Sequence, residues 1–382
     1  MLRAMNDPVA RRIRELPPYL FADIDRQKQR ARAAGADLID LGIGDPDLPT
    51  PPHIVAALRE AAGKAAYHRY PAYEGMRAFR LAVARFMEKR FGVRLDADKE
   101  IVALIGSKEG IAHLPLALVD PGDEVLCPDP GYPVYATGTR FAGGVVRPLL
   151  LRRDAGFIPE LPSRGAKLLW INYPNNPTAA TATLDFYRRV AQWARATGTV
   201  VASDLAYSEM VFEGDPPPSF LQVGGDVGVE FHSLSKTFNM TGWRIGWACG
   251  RADVVGALGR VKTNVDSGQF EAIQQAAVAA LEGDHACVAE MRRTYRERRD
   301  ALCDGLSRLG YDVIRPSATF YVLCACPPAC SSIEFASRLL ERAHVVGTPA
   351  VGFGAGGEGF VRFALTQPIE RIRQAVERIA AL

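Results

Sequence analysis

The sequence has no apolar run long enough to cross a membrane. No stretch of about 20 consecutive apolar residues occurs among its 382 residues. The first residues, MLRAMNDPVARRIREL, also lack the apolar segment of a secretory signal peptide. Charge of one sign is not in excess either, since 46 Lys and Arg residues stand against 43 Asp and Glu residues. We therefore expect a cytoplasmic protein that binds neither a membrane nor a nucleic acid.

The sequence is also poor in cysteine. Seven cysteines, an odd number, are spread along the chain and do not form the pattern of a disulfide framework. Cys324, Cys326 and Cys330 lie close together with the spacing C-x-C-x3-C. A metal site is one interpretation, but a strand that runs into the turn at Pro327 and Pro328 explains the spacing equally well. No paired histidine or second cysteine pair accompanies them, so we expect no metal.

The length of the chain indicates more than one domain, because single cores stop growing at roughly 250–300 residues. We predict a large domain at residues 48–280 and a small domain made of residues 1–47 together with 281–382. In the large domain, short apolar runs alternate with amphipathic stretches, which favours an α/β fold with a mostly parallel sheet between helices. A long charged helix, two strands and a terminal helix after residue 280 indicate a smaller α+β domain. The predicted strands of the large domain are 100–106, 123–130, 167–174, 199–204, 229–236 and 244–250.

Polar residues with unusual chemistry follow four of these strands. They are Ser107 and Lys108, Asn175 and Asn176, Asp204 with Tyr207, and Ser233 with Lys236. In open α/β sheets, ligands bind at the carboxyl ends of the strands. Pyridoxal phosphate needs an amine for its aldehyde, a carboxylate for its ring nitrogen, and donors for its phosphate and its phenolic oxygen. These residues, together with Arg244, supply all of those groups and therefore favour that cofactor.

Three segments resemble landmarks of a known family. They are SLSKTFNMTGWRIGW at 233–247, NYPNNPT at 172–178 and SDLAYSE at 203–209. On these motifs the chain resembles the fold-type-I, class I and II aminotransferases, from about residue 16 to its C-terminus. The resemblance implies a pyridoxal-phosphate-dependent enzyme that moves an amino group between an amino acid and a 2-oxo acid in two half-reactions. It also implies a homodimer whose active sites are shared between subunits.

The resemblance further implies a role for individual residues. Lys236 forms the Schiff base and carries the proton, Asp204 pairs with the ring nitrogen, Tyr207 bonds the phenolic oxygen, and Arg362 grips the substrate α-carboxylate. The residues implied to bind the cofactor are Lys236, Asp204, Tyr207, Asn176, Tyr132, Ser107, Lys108, Ser233 and Arg244, with Tyr70 of the partner subunit. The residues implied to bind the substrate are Arg362, Asn176, Tyr132, Gly44, Ile43 and Lys108, with Tyr19 and Glu74 of the partner subunit.

Other segments are more specifically similar to the LL-diaminopimelate aminotransferases, among them LPPYLFADID, HRYPAYEGM and VKTNVDSGQF. That resemblance implies LL-diaminopimelate as donor, glutamate and 2-oxoglutarate as the other pair, and a place in lysine biosynthesis. The chain departs from the family at Ala179, where glycine is usual, and at Ala350 and Val351, where glycine and then asparagine or serine are usual. An aminotransferase for aspartate, an aromatic amino acid or a specialised metabolite therefore stays open.

Two interpretations from other classes also remain. Ser233-Leu234-Ser235-Lys236 satisfies the S-x-x-K motif of serine hydrolases that act on β-lactams, although no S-D-N or K-T-G partner motif is present. A non-catalytic ligand-sensing domain is the second, since a fold does not fix a function. The glycine-rich VGFGAGGEG lacks the strand and helix that flank a dinucleotide-binding loop, so we expect no nicotinamide cofactor.

Overall fold

The computed structural model of the chain describes residues 8–16 and 21–382. The helices are α1 (Arg11–Arg14), α2 (Phe21–Ala33), α3 (Pro52–Ala62), α4 (Arg77–Phe91), α5 (Ser107–Leu118), α6 (Val134–Phe141), α7 (Leu184–Thr197), α8 (Leu221–Gly224), α9 (Leu234–Thr237), α10 (Ala252–Val265), α11 (Glu271–Glu282), α12 (Ala286–Arg308), α13 (Ser332–Ala343) and α14 (Ile369–Ile379). The strands are β1 (Ile39–Asp40), β2 (Ile101–Leu104), β3 (Glu124–Asp129), β4 (Val145–Leu150), β5 (Leu168–Asn172), β6 (Val200–Asp204), β7 (Gly228–Ser233), β8 (Gly246–Gly250), β9 (Val313–Ile314), β10 (Tyr321–Ala325), β11 (Val345–Val346), β12 (Thr348–Pro349) and β13 (Phe360–Ala364).

A seven-stranded sheet forms the centre of the fold, in the order β2-β8-β7-β6-β5-β3-β4. Its neighbouring strands are parallel except for β8, which runs antiparallel to both β2 and β7. Both faces are covered: Trp170 of β5 packs into the core on one face, and Leu169 and Ile171 pack into the core on the other. Successive residues of a strand point to opposite faces, so a strand buried on both sides is apolar throughout.

The helices that cover the sheet have clear start and stop signals. In α7, the side chain of Thr183 accepts a hydrogen bond from Phe186 N at 3.2 Å, and Gly198 ends the helix in the left-handed conformation. Phe186 and Val190, one helical turn apart, are buried on the face that meets the sheet. Local sequence signals and burial therefore agree on where this helix lies.

Two smaller sheets lie outside the seven-stranded one. The first is antiparallel, with the order β12-β13-β10-β9, and carries Arg362 on β13. The second pairs β1 with β11 in parallel, with Ile39 opposite Val345. The segment near the N-terminus is thereby joined to the C-terminal part of the chain. In the described ranges, no helix is both long enough and apolar enough to cross a bilayer.

The structure corrects two details of the sequence prediction. The edge strand β4 was not predicted, because its residues Val145 and Leu150 are exposed and its apolar pattern is interrupted by Arg147 and Pro148. The strand predicted at 229–236 ends at Ser233, whose side chain accepts a hydrogen bond from Ser235 N at 3.2 Å and caps the short helix α9. Lys236 therefore lies on a helical turn rather than on the strand.

Candidate active site

Most of the predicted site residues line one cavity of about 290 Å³ at the carboxyl ends of β2, β5, β6 and β7. These strands run in the same direction, so the polar residues that follow them meet at one edge of the sheet. The predicted residues that line the cavity are Gly44, Ser107, Lys108, Tyr132, Asn176, Asp204, Tyr207, Ser233, Lys236 and Arg244. Arg362 is not among them, but its side chain donates a hydrogen bond to the lining residue Asn176.

Lys236 is a partly buried amine that lines this cavity. Its Nζ donates a hydrogen bond to Gly44 O at 3.0 Å and lies 5.4 Å from the centre of the Phe320 ring. Burial lowers the pKa of Lys236 to about 8, against a smaller opposing effect of the Asp45 carboxylate. About a tenth of the amine is therefore neutral, and so nucleophilic, at pH 7.

Asp204 is a buried carboxylate held by two donors. Tyr135 donates its hydroxyl to Oδ2 at 2.7 Å, and Ala206 N donates to Oδ1 at 3.3 Å. Burial raises the pKa of Asp204 to about 6, although both hydrogen bonds act in the opposite direction. A positive ring nitrogen beside the carboxylate would favour its charged form. Tyr135, which the sequence prediction missed, is fully buried and stacks on Trp170 with ring centres 4.8 Å apart.

Opposite these groups the structure forms an anion-binding corner. Ser107 and Lys108 begin α5, a twelve-residue helix whose free N–H groups favour a negative group at its N-terminus. Gly106 precedes it with φ +73°, and a Cβ built there would lie 2.3 Å from Arg244 Nη2. The guanidinium of Arg244 therefore occupies the space that only a glycine leaves open. Ser233 and Thr241 line the same cavity.

Arg362 is a buried cation between two aromatic rings. The Tyr321 ring centre lies 4.1 Å from its Cζ and the Phe353 ring centre lies 4.6 Å away. Its Nη1 donates to Asn176 Oδ1 at 2.8 Å and its Nη2 donates to Gly42 O at 2.8 Å. Its Nε is buried and has no hydrogen-bond partner among the described residues. A buried guanidinium with a free N–H is suited to bind a carboxylate.

Tyr207 and Tyr321 face each other across the cavity wall. Their hydroxyl oxygens are 3.2 Å apart, and both side chains are nearly inaccessible to solvent. Tyr321 is the second site residue that the sequence prediction missed. It lies on β10 opposite Ala364 of β13, which places it diagonally next to Arg362 on the same face of the sheet.

Besides Arg362, three predicted residues that the structure describes do not line the cavity. Tyr70 is 88% exposed, Ile43 is 54% exposed, and Glu74 is also exposed. The backbone of Glu74 is fixed, because Glu74 O accepts a hydrogen bond from Ala103 N at 2.9 Å. Tyr19 lies outside the residues that the structure describes. The roles implied for Tyr70, Glu74 and Tyr19 require a second subunit, so a single chain does not test them.

The departures from the family lie around the site without lining its cavity. Ala179 has φ +60°, a conformation that favours glycine, and its N–H donates to Asn175 O at 2.9 Å. Ala350 is fully buried in a small apolar cluster with Phe353, the residue that packs on Arg362. Val351 follows it in the same turn of 3₁₀-helix. None of these three is among the described residues that line the cavity.

The residues present fit pyridoxal phosphate. An amine of lowered pKa, a buried carboxylate, and an anion corner formed by Gly106 and Arg244 lie around one cavity. The S-x-x-K interpretation finds no support, since Ser233 Oγ accepts a hydrogen bond from Ser235 N at the start of α9. Lys236, for its part, donates to Gly44 O.

Comparison with known proteins agrees with this geometry. The sequence profile of the family "Aminotransferase class I and II" matches residues 36–379. The LL-diaminopimelate aminotransferase of Syntrophobacter fumaroxidans is 54% identical over 381 residues, covering 98% of each chain. The protein of the same name from Desulforudis audaxviator is 53% identical over 378 residues, covering 97% of this chain and 96% of that one. Among solved structures, substrate-bound BacF from Bacillus subtilis has a TM-score of 0.93 at 35% identity and covers 98% of each chain.

Proposed function

The chain belongs to the class I and II aminotransferases and depends on pyridoxal phosphate, and from this premise we propose that its amino donor is LL-diaminopimelate. Glutamate and 2-oxoglutarate form the other substrate pair, which places the reaction in lysine biosynthesis. The observation that carries the proposal is the 54% identity, over nearly the whole of both chains, to a protein named for that activity.

In the proposed mechanism each polar group of the site has a distinct role. When bound, the cofactor supplies an electron-withdrawing ring that stabilises the negative charge left on the substrate Cα. Lys236 Nζ holds the cofactor in the resting enzyme and then moves the proton at the substrate Cα. Asp204 keeps the ring nitrogen protonated, and Tyr207 with Asn176 donates to the phenolic oxygen. Arg362 fixes the substrate α-carboxylate, and its free Nε–H supports this role.

The phosphate is assigned to the anion corner. Ser107 and the backbone of Lys108 at the start of α5, the Ser233 hydroxyl and the Arg244 guanidinium are the proposed donors. Tyr132 lines the cavity beside them. A doubly negative phosphate here is held by a helix N-terminus and one arginine, and this fixes the position of the ring relative to Lys236.

The far end of the donor requires a second subunit. Diaminopimelate carries an ammonium and a carboxylate at its distal end, and burying them without partners would be costly. We assign the distal ammonium to Glu74 of the partner subunit, and the distal carboxylate to Lys108 and to Tyr19 of the partner subunit. The exposure of Tyr70 and Glu74 in the single chain supports a homodimer with shared sites.

Three further parts of the proposal concern organisation and setting. We propose that residues 48–280 form the large domain and that residues 1–47 together with 281–382 form the small one. The separate β12-β13-β10-β9 sheet and the pairing of β1 with β11 support this division. The seven free cysteines support a cytoplasmic location, where thiols stay reduced.

A panel of amino donors tests the substrate. The holoenzyme is mixed in single turnover with LL-diaminopimelate, its meso isomer, lysine, glutamate, aspartate and phenylalanine, and the visible absorbance of the cofactor is followed. Lysine differs from LL-diaminopimelate only in lacking the distal carboxylate. We expect LL-diaminopimelate to react at least about 100-fold faster than lysine, because a polar site rejects analogues that leave its groups unpaired. Equal rates for the two would refute the assignment, and a preference for phenylalanine or aspartate would favour the alternative substrates.

A variant at Glu74 then locates the distal site. Glu74→Gln should slow LL-diaminopimelate by about 10-fold or more, because the distal ammonium loses a charged acceptor, and should leave glutamate within about two-fold. Glu60→Gln is the matched control, since it removes a surface carboxylate that pairs with Lys64 at 2.7 Å. Equal losses for both donors in Glu74→Gln would mean that Glu74 has only a structural role.

A further inference from the structure

Tyr321 contacts both Tyr207, which is proposed to bind the cofactor, and Arg362, which is proposed to bind the substrate. Its hydroxyl oxygen lies 3.2 Å from the Tyr207 hydroxyl oxygen, and its ring centre lies 4.1 Å from Arg362 Cζ. It is 3% exposed and lines the cavity, so both contacts are shielded from water. One side chain thus contacts the proposed donor to the cofactor and the proposed anchor of the substrate carboxylate.

We propose that Tyr321 is a positioning residue with two separable parts, its hydroxyl acting on Tyr207 and its ring acting on Arg362. The inference rests on the roles proposed above for Tyr207 and Arg362. None of the three family motifs contains Tyr321, which is brought next to Arg362 by the pairing of β10 with β13.

The direction of the hydroxyl contact follows from proton count. A tyrosine hydroxyl has one proton to donate. If Tyr207 gives its proton to the phenolic oxygen of the cofactor, it can only accept from Tyr321, so Tyr321 is the donor in this pair. A hydroxyl that accepts a hydrogen bond becomes a stronger donor itself. Tyr321 therefore strengthens the bond from Tyr207 and favours the ionised form of the phenolic oxygen.

The ring of Tyr321 has a different task. Arg362 Cζ lies over the rings of both Tyr321 and Phe353, and these two contacts restrict the orientations open to its guanidinium. The position of Tyr321 is fixed in turn by tight packing, because a Cβ built on Gly44 would lie 2.0 Å from its hydroxyl oxygen. Gly44 is also the residue whose carbonyl accepts from Lys236. The two aromatic faces therefore preorganise Arg362 for a carboxylate.

Two substitutions separate the parts. Tyr321→Phe keeps the ring and removes the hydroxyl, while Tyr321→Leu removes both. Phe353→Leu is the matched control, since it removes the other aromatic face of Arg362 without touching the Tyr207 hydroxyl. Tyr321→Met replaces Tyr321→Leu should the latter not fold, because its unbranched apolar chain fills similar space. Thermal unfolding and cofactor affinity of each holoenzyme report any general structural damage.

The hydroxyl is tested by titrating the visible band of the bound cofactor with pH. The charged groups that line this cavity or contact it are the same in every variant; they are Asp45, Lys108, Asp204, Lys236, Arg244 and Arg362. In Tyr321→Phe we expect the transition to move to higher pH by about 0.5–1 unit, because the ionised phenolic oxygen loses support. In Phe353→Leu it should stay at the wild-type pH. A spectral transition at the wild-type pH in the Tyr321→Phe variant would overturn the role of the hydroxyl.

The ring is tested with glutarate, a dicarboxylate with the carbon chain of glutamate but no amino group, measured by its spectral dissociation constant. Tyr321→Phe should bind it within about two-fold of wild type, and Tyr321→Leu and Phe353→Leu about five-fold more weakly or worse. Equal weakening in Tyr321→Phe and Tyr321→Leu, or none in Tyr321→Leu, would overturn the role of the ring. Neither readout uses diaminopimelate, so a failed donor panel leaves this test intact, and a wild type without a visible band would refute the cofactor site instead.

Discussion

Burial shifts the pKa values of the two central residues in opposite chemical directions. The pKa of Lys236 falls to about 8 and that of Asp204 rises to about 6, since desolvation disfavours the charged form of each group. Between these values the cofactor-free site therefore holds an ionised Asp204 and a Lys236 that is partly neutral. Burial thus makes Lys236 more nucleophilic, whereas Asp204 stays largely ionised at neutral pH and can pair with a positive ring nitrogen.

The lowered pKa of Lys236 predicts how the cofactor-free protein captures its cofactor. The neutral amine is the attacking form, so the rate of capture should rise about ten-fold per pH unit below pH 8 and level off above it. Stopped-flow absorbance after mixing with pyridoxal phosphate measures this rate. Nα-acetyllysine in the same buffers is the control, and its rate should keep rising towards pH 10. A protein rate that also rises to pH 10 would show that Lys236 is not desolvated.

At the residue scale, sequence motifs predicted the charged groups better than the aromatic ones. Asp204 ends β6, Lys236 follows β7 and Arg244 precedes β8, and all three stand in segments with a recognisable pattern. Tyr135 and Tyr321 do not, because an aromatic residue next to an apolar run is indistinguishable from ordinary core. Tyr135 lies only three residues after the predicted site residue Tyr132, and their ring centres are 5.6 Å apart.

At the element scale, the turn between β2 and α5 determines whether the anion corner can form. Gly106→Ala should weaken cofactor binding by about ten-fold or more, because alanine is strained at φ +73° and its Cβ would displace Arg244. Titration of the cofactor-free protein measures this affinity. Gly198→Ala is the control: its φ is +69°, but a Cβ there meets nothing within 4 Å. It should lower stability by about 1 kcal/mol and leave affinity unchanged. Equal affinity losses in both would contradict a specific role for Gly106.

Strands buried on both faces were the elements that sequence predicted best. The run at 167–174 contains four consecutive apolar residues at 168–171, and its core became β5. The edge strand β4 was missed because it is half exposed, so its residues carry no strong period. The end of β7 was misplaced because the capping role of Ser233 depends on the turn itself. Boundaries set by local capping are thus harder to predict than buried strands.

At the scale of the whole molecule, the roles proposed for Tyr70, Tyr19 and Glu74 require that each active site contain residues of two chains. A mixture of Lys236→Ala and Tyr70→Ala subunits tests this, because in a mixed dimer one site has both its own Lys236 and Tyr70 of the partner subunit intact. Random reassociation of the two inactive variants should restore about a quarter of wild-type activity. Light scattering measures the assembly in parallel. No restoration, or an active monomer at assay concentration, would contradict shared sites.

The global architecture could be predicted from the sequence, but the pairings between distant segments could not. Alternation of strands and helices predicts a parallel sheet, and the site then follows from the carboxyl ends of its strands. The pairing of β1 with β11, more than 300 positions apart in the chain, leaves no local trace in either segment. The same holds for the contact of Arg362 with Asn176. Contacts of this kind depend on the completed fold.

The central claim is that Lys236 holds the cofactor, and chemical reduction tests it most directly. Treating the holoenzyme with borohydride fixes the cofactor on whichever lysine carries it, and peptide mapping by mass spectrometry then identifies that residue. We expect a single modified peptide containing SLSKTF, with the added mass on Lys236 and on no other lysine. Modification of a different lysine, with Lys236 unmodified, would contradict the account.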